Sequence, residues 1–183
     1  MRRMNLVLTL AFLAFISFSA TLFFRLAEPV APHEEHDPTA AAAADAVAGA
    51  GVPQTLDNLH LMSLDDGPEA LAAIDRLHGK ALGLTDGYQA QYGQGPNTVT
   101  IWVARMANGD EARRLTDDMT ASINEGRSPF SRPEPQQYGS LTLYKTLGMN
   151  QLHYYYANGS RIIWAALPRD SSPALLDQVV QAF

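Results

Sequence analysis

The chain has 183 residues, 46% of them hydrophobic and 17% charged, which describes one globular domain with an additional apolar segment rather than a disordered polymer. Its formal charge is −6, with three basic against five acidic residues over 1–55 and ten against fourteen over 56–183, so the basic footprint of a nucleic-acid or anionic-lipid binder is missing. There is no cysteine, which excludes disulfides, thiolate metal centres, thiol nucleophiles, c-type haem attachment and a lipid-bearing cysteine.

Arg2 and Arg3 precede an uncharged run from Met4 to Phe24 that Arg25 ends. Roughly 20 helical residues, at about 1.5 Å each, cover the ~30 Å hydrocarbon core of a bilayer. Leu6, Leu10, Phe12, Ile16, Phe18, Leu22 and Phe24 point all round such a helix, whereas a soluble helix keeps one polar face. Residues 1–26 are therefore expected to be an uncleaved signal-anchor transmembrane helix. The alternative is a cleaved signal peptide, but the nearest small-x-small site, Ser17-Phe18-Ser19, lies inside the apolar run. By the positive-inside rule the N-terminus is cytoplasmic, which puts the rest of the chain on the periplasmic side of a cytoplasmic-type inner membrane.

Residues 27–55 read as a flexible linker, interrupted by Pro29, Pro32, Pro38 and Pro53 and rich in alanine from Ala40 onward. His33-Glu34-Glu35-His36-Asp37 lies within it. Two imidazoles three apart among carboxylates are weak candidates for a divalent ion, since no third strong ligand stands at metal-site spacing, and a solvated acidic spacer is the simpler reading.

Residues 56–183 read as the folded domain. Asp65-Asp66-Gly67-Pro68 opens a helix, with Leu71, Ile74, Leu77 and His78 on its buried stripe and Gly79 as its stop. Strands are expected at 88–92 and 98–104, the second with Val99, Ile101 and Val103 on one face. Asn108 and Glu111 stand at capping-box spacing before a helix with Ala112, Leu115, Met119 and Ile123 inward and Gly126 at its end. The prolines of 128–135 exclude regular structure there. Strands follow at 140–147, 150–157 and 160–167, the last two joined by a two-residue turn at Asn158-Gly159, expected to be type I′. Ser172-Pro173 then caps a helix that turns Leu176, Val179, Val180 and Phe183 inward. The order α-β-β-α-β-β-β-α with short connections predicts an α+β two-layer sandwich: a mostly antiparallel sheet with helices on one face.

A turn at Asn158-Gly159 sets His153 opposite Trp164 and Tyr155 opposite Ile162 on one face. The other face then carries Leu152, Tyr154, Tyr156, Arg161, Ile163 and Ala165, with Tyr156 across from Arg161. Aromatic side chains beside arginine are enriched in binding surfaces, which makes Phe130, His153, Tyr155, Tyr156, Arg161 and Trp164 the candidate binding residues. No Gly-x-Ser-x-Gly, Ser-x-x-Lys or phosphate-cradling loop occurs, and no catalytic residue or cofactor is assigned. The expectation is a membrane-anchored extracytoplasmic interaction module, an accessory, sensor or assembly subunit, docking an exported or membrane protein partner. The alternatives are a periplasmic small-ligand or metal-binding domain built on His153, Tyr155 and Trp164, and an enzyme with a dispersed site.

Overall fold

In the computed structural model, which describes residues 51–78 and 81–183, period-two runs of β-branched and aromatic residues pair into one eight-stranded antiparallel sheet. Its strands are β1 (Thr55–Leu56), β2 (Leu59–Asp66), β3 (Asp86–Tyr92), β4 (Val99–Arg105), β5 (Glu134–Tyr138), β6 (Leu141–Gly148), β7 (Gln151–Asn158) and β8 (Arg161–Pro168). Three helices accompany them: α1 (Gly67–His78), α2 (Gly109–Asn124) and α3 (Pro173–Ala182). The spatial order is β1-β2-β3-β4-β8-β7-β6-β5, two four-strand meanders joined where β4 pairs with β8. The predicted apolar helix of 1–26, His33, His36 and the Gly79 stop lie outside the described residues. Among the described residues no helix is long and apolar enough to cross a membrane.

The helix starts follow their local chemistry. The Asn108 side chain accepts the Glu111 amide at 2.9 Å, and Ser172 accepts the Leu175 amide at 3.3 Å with Pro173 in the first turn. Leu175, rather than Leu176, joins Val179, Val180 and Phe183 in the core. Three strands escape local reading. β2 carries a register shift between Leu61 and Ser63 that breaks its alternation. β1 has only two residues. β5 contains Pro135 inside the stretch that its prolines had excluded from regular structure; it is an edge strand, where a missing N–H costs no ladder bond.

Alternation along the paired strands sorts side chains onto two faces. The Ala90, Ile101, Ala165 and Tyr154 row shares one face with Tyr92, Val99, Val103, Tyr156, Ile163 and Leu167, all of them buried. Gly87, Trp102, Trp164 and Tyr155 belong to the other. α1 and α2 cover that second face: a Cβ on Gly87 would meet Leu71 and Ile74 of α1, and Thr120 of α2 bonds Tyr155. α3 lies on the first. Tyr138, on the β5 edge and on the Ala90 face, donates to Asp177 at 3.0 Å, and Gln178 accepts the amide of Asp57 from the β1–β2 turn at 2.5 Å. Eight flat strands at about 4.8 Å spacing would hold those edges ~34 Å apart, three times a helix diameter. Both edges reach adjacent residues of one helix, so the sheet is curled and its concave face wraps α3. The expected two-layer sandwich with helices on one face is corrected accordingly: the central strands are apolar on both sides, with α3 on one face and α1 and α2 on the other, where Trp102 and Trp164 stay partly exposed.

At Gly87 α1 packs directly on the sheet. A Cβ there would stand 2.8 Å from the Val103 carbonyl oxygen and 3.0 Å from Leu71 Cδ2. Backbone cannot swing aside, so Gly87→Ala is expected to lower stability by about 1–3 kcal/mol in urea unfolding.

Candidate functional site

The convex face carries one continuous row of side chains across seven strands. Asp65, Gln89, Trp102, Trp164, Tyr155, Tyr144 and Pro135 stand opposite one another in successive pairs from β2 to β5. Tyr144 and Tyr155 stack at 5.2 Å with 16° between planes, and Tyr155 and Trp164 at 4.9 Å with 8°. Those separations match the ~4.8 Å strand spacing, so the rings stand upright on the sheet like books on a shelf. Trp102 leaves the stack: its indole N–H donates to Gln89 Oε1 at 2.7 Å, and it packs on no other ring among the described residues. Trp102, Trp164, Tyr144 and Gln89 are partly exposed, whereas Tyr155 is 0% exposed.

α2 bounds one side of the row. Thr120 gives its hydroxyl proton to the Thr116 carbonyl at 2.8 Å, which leaves it to accept from the Tyr155 hydroxyl at 2.9 Å. Burial pushes the Tyr155 phenol up to about 12; the Thr120 bond opposes that rise and Tyr144 adds to it. Beside this contact Met106, Ala112 and Ile162 form a small buried cluster with Leu84, Leu115 and Ala157.

The segment from 128 to 133 bounds the other side. Ser131 extends the β6 ladder: its amide donates to Leu147 O at 2.8 Å, its hydroxyl accepts the Leu147 amide at 2.9 Å, and its carbonyl accepts from Thr146 Oγ1 at 2.5 Å. This seats the Phe130 ring over Gly148, where a Cβ would come within 2.3 Å of it. Phe130 lies 4.8 Å from the His153 ring in an edge-on contact and 5.0 Å from Trp164.

His153 is 3% exposed and both its nitrogens are engaged. Nδ1 accepts the Trp164 indole N–H at 3.0 Å, which puts the proton on Nε2, facing Gly148 O at 3.1 Å. Burial lowers its pKa from the ordinary 6.5 to about 4, and the Gly148 bond opposes that fall. A neutral imidazole with its lone pair committed to Trp164 is neither a poised base nor an open metal ligand. Among the described residues no group of three or more His, Asp or Glu is placed to hold a metal ion.

Of the residues picked from sequence, Phe130, His153, Tyr155 and Trp164 come together on the convex face. Tyr156 and Arg161 lie on the concave one. The register corrects the expected pairing by two residues: Asn158 pairs with Arg161, so Tyr155 faces Trp164, His153 faces Ala166 and Tyr156 faces Ile163. The turn is Gly159-Ser160, with positive φ at Gly159 alone, the type II′ pattern rather than type I′. Faces survive a two-residue slip, but partners do not. Trp102, Tyr144 and Gln89 were missed. The available signal was Thr100-Trp102-Ala104, the alternate parity of a strand whose Val99, Ile101 and Val103 are core.

The fold and the row define an antiparallel α+β domain with an aromatic surface between two covering segments. Comparison with protein-family models, with curated proteins and with solved structures returned no match.

Proposed function

We propose that the chain is a membrane-anchored extracytoplasmic interaction module, held to the bilayer by residues 1–26, whose convex face docks an exported or membrane protein partner. The observation that carries this reading is the row itself, with two partly exposed tryptophans side by side in register. Tryptophan is enriched at protein–protein hot spots, and both indole N–H groups here are already bonded within the domain, so docking strands neither. The stacked rings present edges, whereas a sugar or base platform offers flat faces; that favours a protein partner over a flat ligand. The uncharged run of residues 4–24 supports the anchor, and the net charge of −6 speaks against nucleic acid.

A photoreactive residue in place of Thr100, partly exposed on the same face two positions from Trp102, is expected to give one discrete partner adduct when the full-length protein is irradiated in intact membranes. Trp102→Ala is expected to weaken retention of that same partner at least tenfold, about 1.4 kcal/mol, while the protein stays folded at the assay temperature. Undiminished retention by a folded Trp102→Ala protein defeats the assignment of this face, and detergent-free recovery of the full-length chain from the soluble fraction defeats the anchor.

A further inference from the structure

The concave face holds a cluster of polar groups that packing alone does not account for. Arg105 and Arg161 stand directly opposite on the central strands β4 and β8, a like-charge pair that destabilises a sheet unless something lies between the charges. Arg105 has a loose contact with Asp86 at 3.9 Å, both side chains about half exposed or more, so the pair adds little stability, although the carboxylate still counts in the formal charge of the site. The Arg161 side chain, only partly exposed, has no hydrogen-bond or ion-pair partner among the described residues.

One strand over and one pleat along, Tyr156 is 0% exposed and its hydroxyl has no hydrogen-bond partner among the described residues. A buried unpaired hydroxyl is destabilising, because it gives up water without gaining a partner. Tyr88 lies on the same face, two positions from the residue paired with Arg105 and likewise partly exposed. The register sets Tyr88 and Tyr156 in one cross-strand row, through Val103 and Ile163, beside the Arg105–Arg161 pair, and Arg161 opposes the rise that burial imposes on both phenols. The site thus offers two guanidinium forks and two phenolic O–H donors. Asp86 offsets one of the two positive charges.

We propose that Arg161, Arg105, Tyr88 and Tyr156 bind a carboxylate. A planar singly charged anion satisfies the guanidinium bidentately, takes the orphaned Tyr156 O–H, and balances the single positive charge left after Asp86. A phosphate dianion would overshoot that balance. The site lies on the opposite face from the aromatic row, so it stands or falls independently of the docking surface.

Full-length protein melted at pH 7 in sodium acetate, sodium chloride or inorganic phosphate of equal ionic strength tests this. Acetate is expected to raise the melting temperature saturably, by about 3–6 °C at tenfold excess over its dissociation constant, and chloride is not. Arg161→Gln is expected to abolish the rise. Tyr156→Phe is expected to weaken acetate at least fivefold while melting higher than the parent in chloride, because it removes an unpaired buried hydroxyl. A response to acetate no larger than to chloride overturns the site, and a response to phosphate but not to acetate overturns the carboxylate assignment. A Tyr156→Phe protein that melts lower than its parent in chloride means that the hydroxyl has a partner in the folded state, and sinks the proposal as well.

Discussion

Acidifying the protein from pH 7 to pH 4 is expected to cost it about 3 kcal/mol through His153 alone. The folded-state pKa is lowered from 6.5 to about 4, chiefly by burial. Above 6.5 the ring is neutral in both states and the full stability is present. As the pH falls through the window from 6.5 to about 4, the unfolded chain takes up a proton that the folded chain refuses, and stability drains away. Below that window both states are protonated and the loss stops growing. The structural cost is specific: protonation puts a hydrogen on Nδ1, where the lone pair accepts the Trp164 indole at 3.0 Å. Urea midpoints at pH 7, 5.5 and 4.5 read this slope, and His153→Gln, which keeps an acceptor and a donor without titrating, is expected to flatten it. An unchanged slope in that variant would locate the acid sensitivity elsewhere.

The second large effect concerns Tyr155, which sequence reading put on a binding surface. Its ring is 0% exposed between Tyr144 and Trp164 and its hydroxyl is already bonded to Thr120, so it presents no surface to a protein partner. It is the middle ring of the stack, and its hydroxyl ties the sheet to α2 through Thr120. Tyr155→Ala is expected to destabilise the protein by about 3–5 kcal/mol, the range for emptying a buried aromatic site. Tyr155→Phe, which keeps the stack and loses one hydrogen bond, is expected to cost about 1 kcal/mol. Chemical denaturation of the two variants separates a core ring from a contact ring: equal, small losses would return Tyr155 to the surface.

The Asn108 and Ser172 caps define two helix starts by side-chain chemistry within three residues. The parity of β7 and β8 assigns each of their residues to the correct face. What could not be read depends on partners distant in sequence. A two-residue displacement of the Gly159 turn leaves every face unchanged and exchanges every cross-strand neighbour, so His153 and Trp164 are joined by a hydrogen bond rather than by direct pairing. Trp102 stands opposite Trp164 only because β4 pairs with β8 some sixty positions later. β5 was hidden because proline is excluded from strand interiors but tolerated on an edge. The side of the sheet on which α3 lies is set by curvature, and no local pattern encodes that.

That curvature and the β4–β8 seam bear on how the domain assembles during synthesis. β1 to β4 emerge first and can form a meander of their own, but β4 then ends it with an unpaired apolar rim, Val99–Arg105, and nothing occupies the hollow side. Both deficiencies are cured by the segment from Arg161 onward, which supplies the missing neighbour strand and the helix that the two margins clasp. Half-made chains therefore expose a sticky template, the kind that recruits identical strands from other copies. A chain of this design gains from staying unfolded until its C-terminal portion is available to pair.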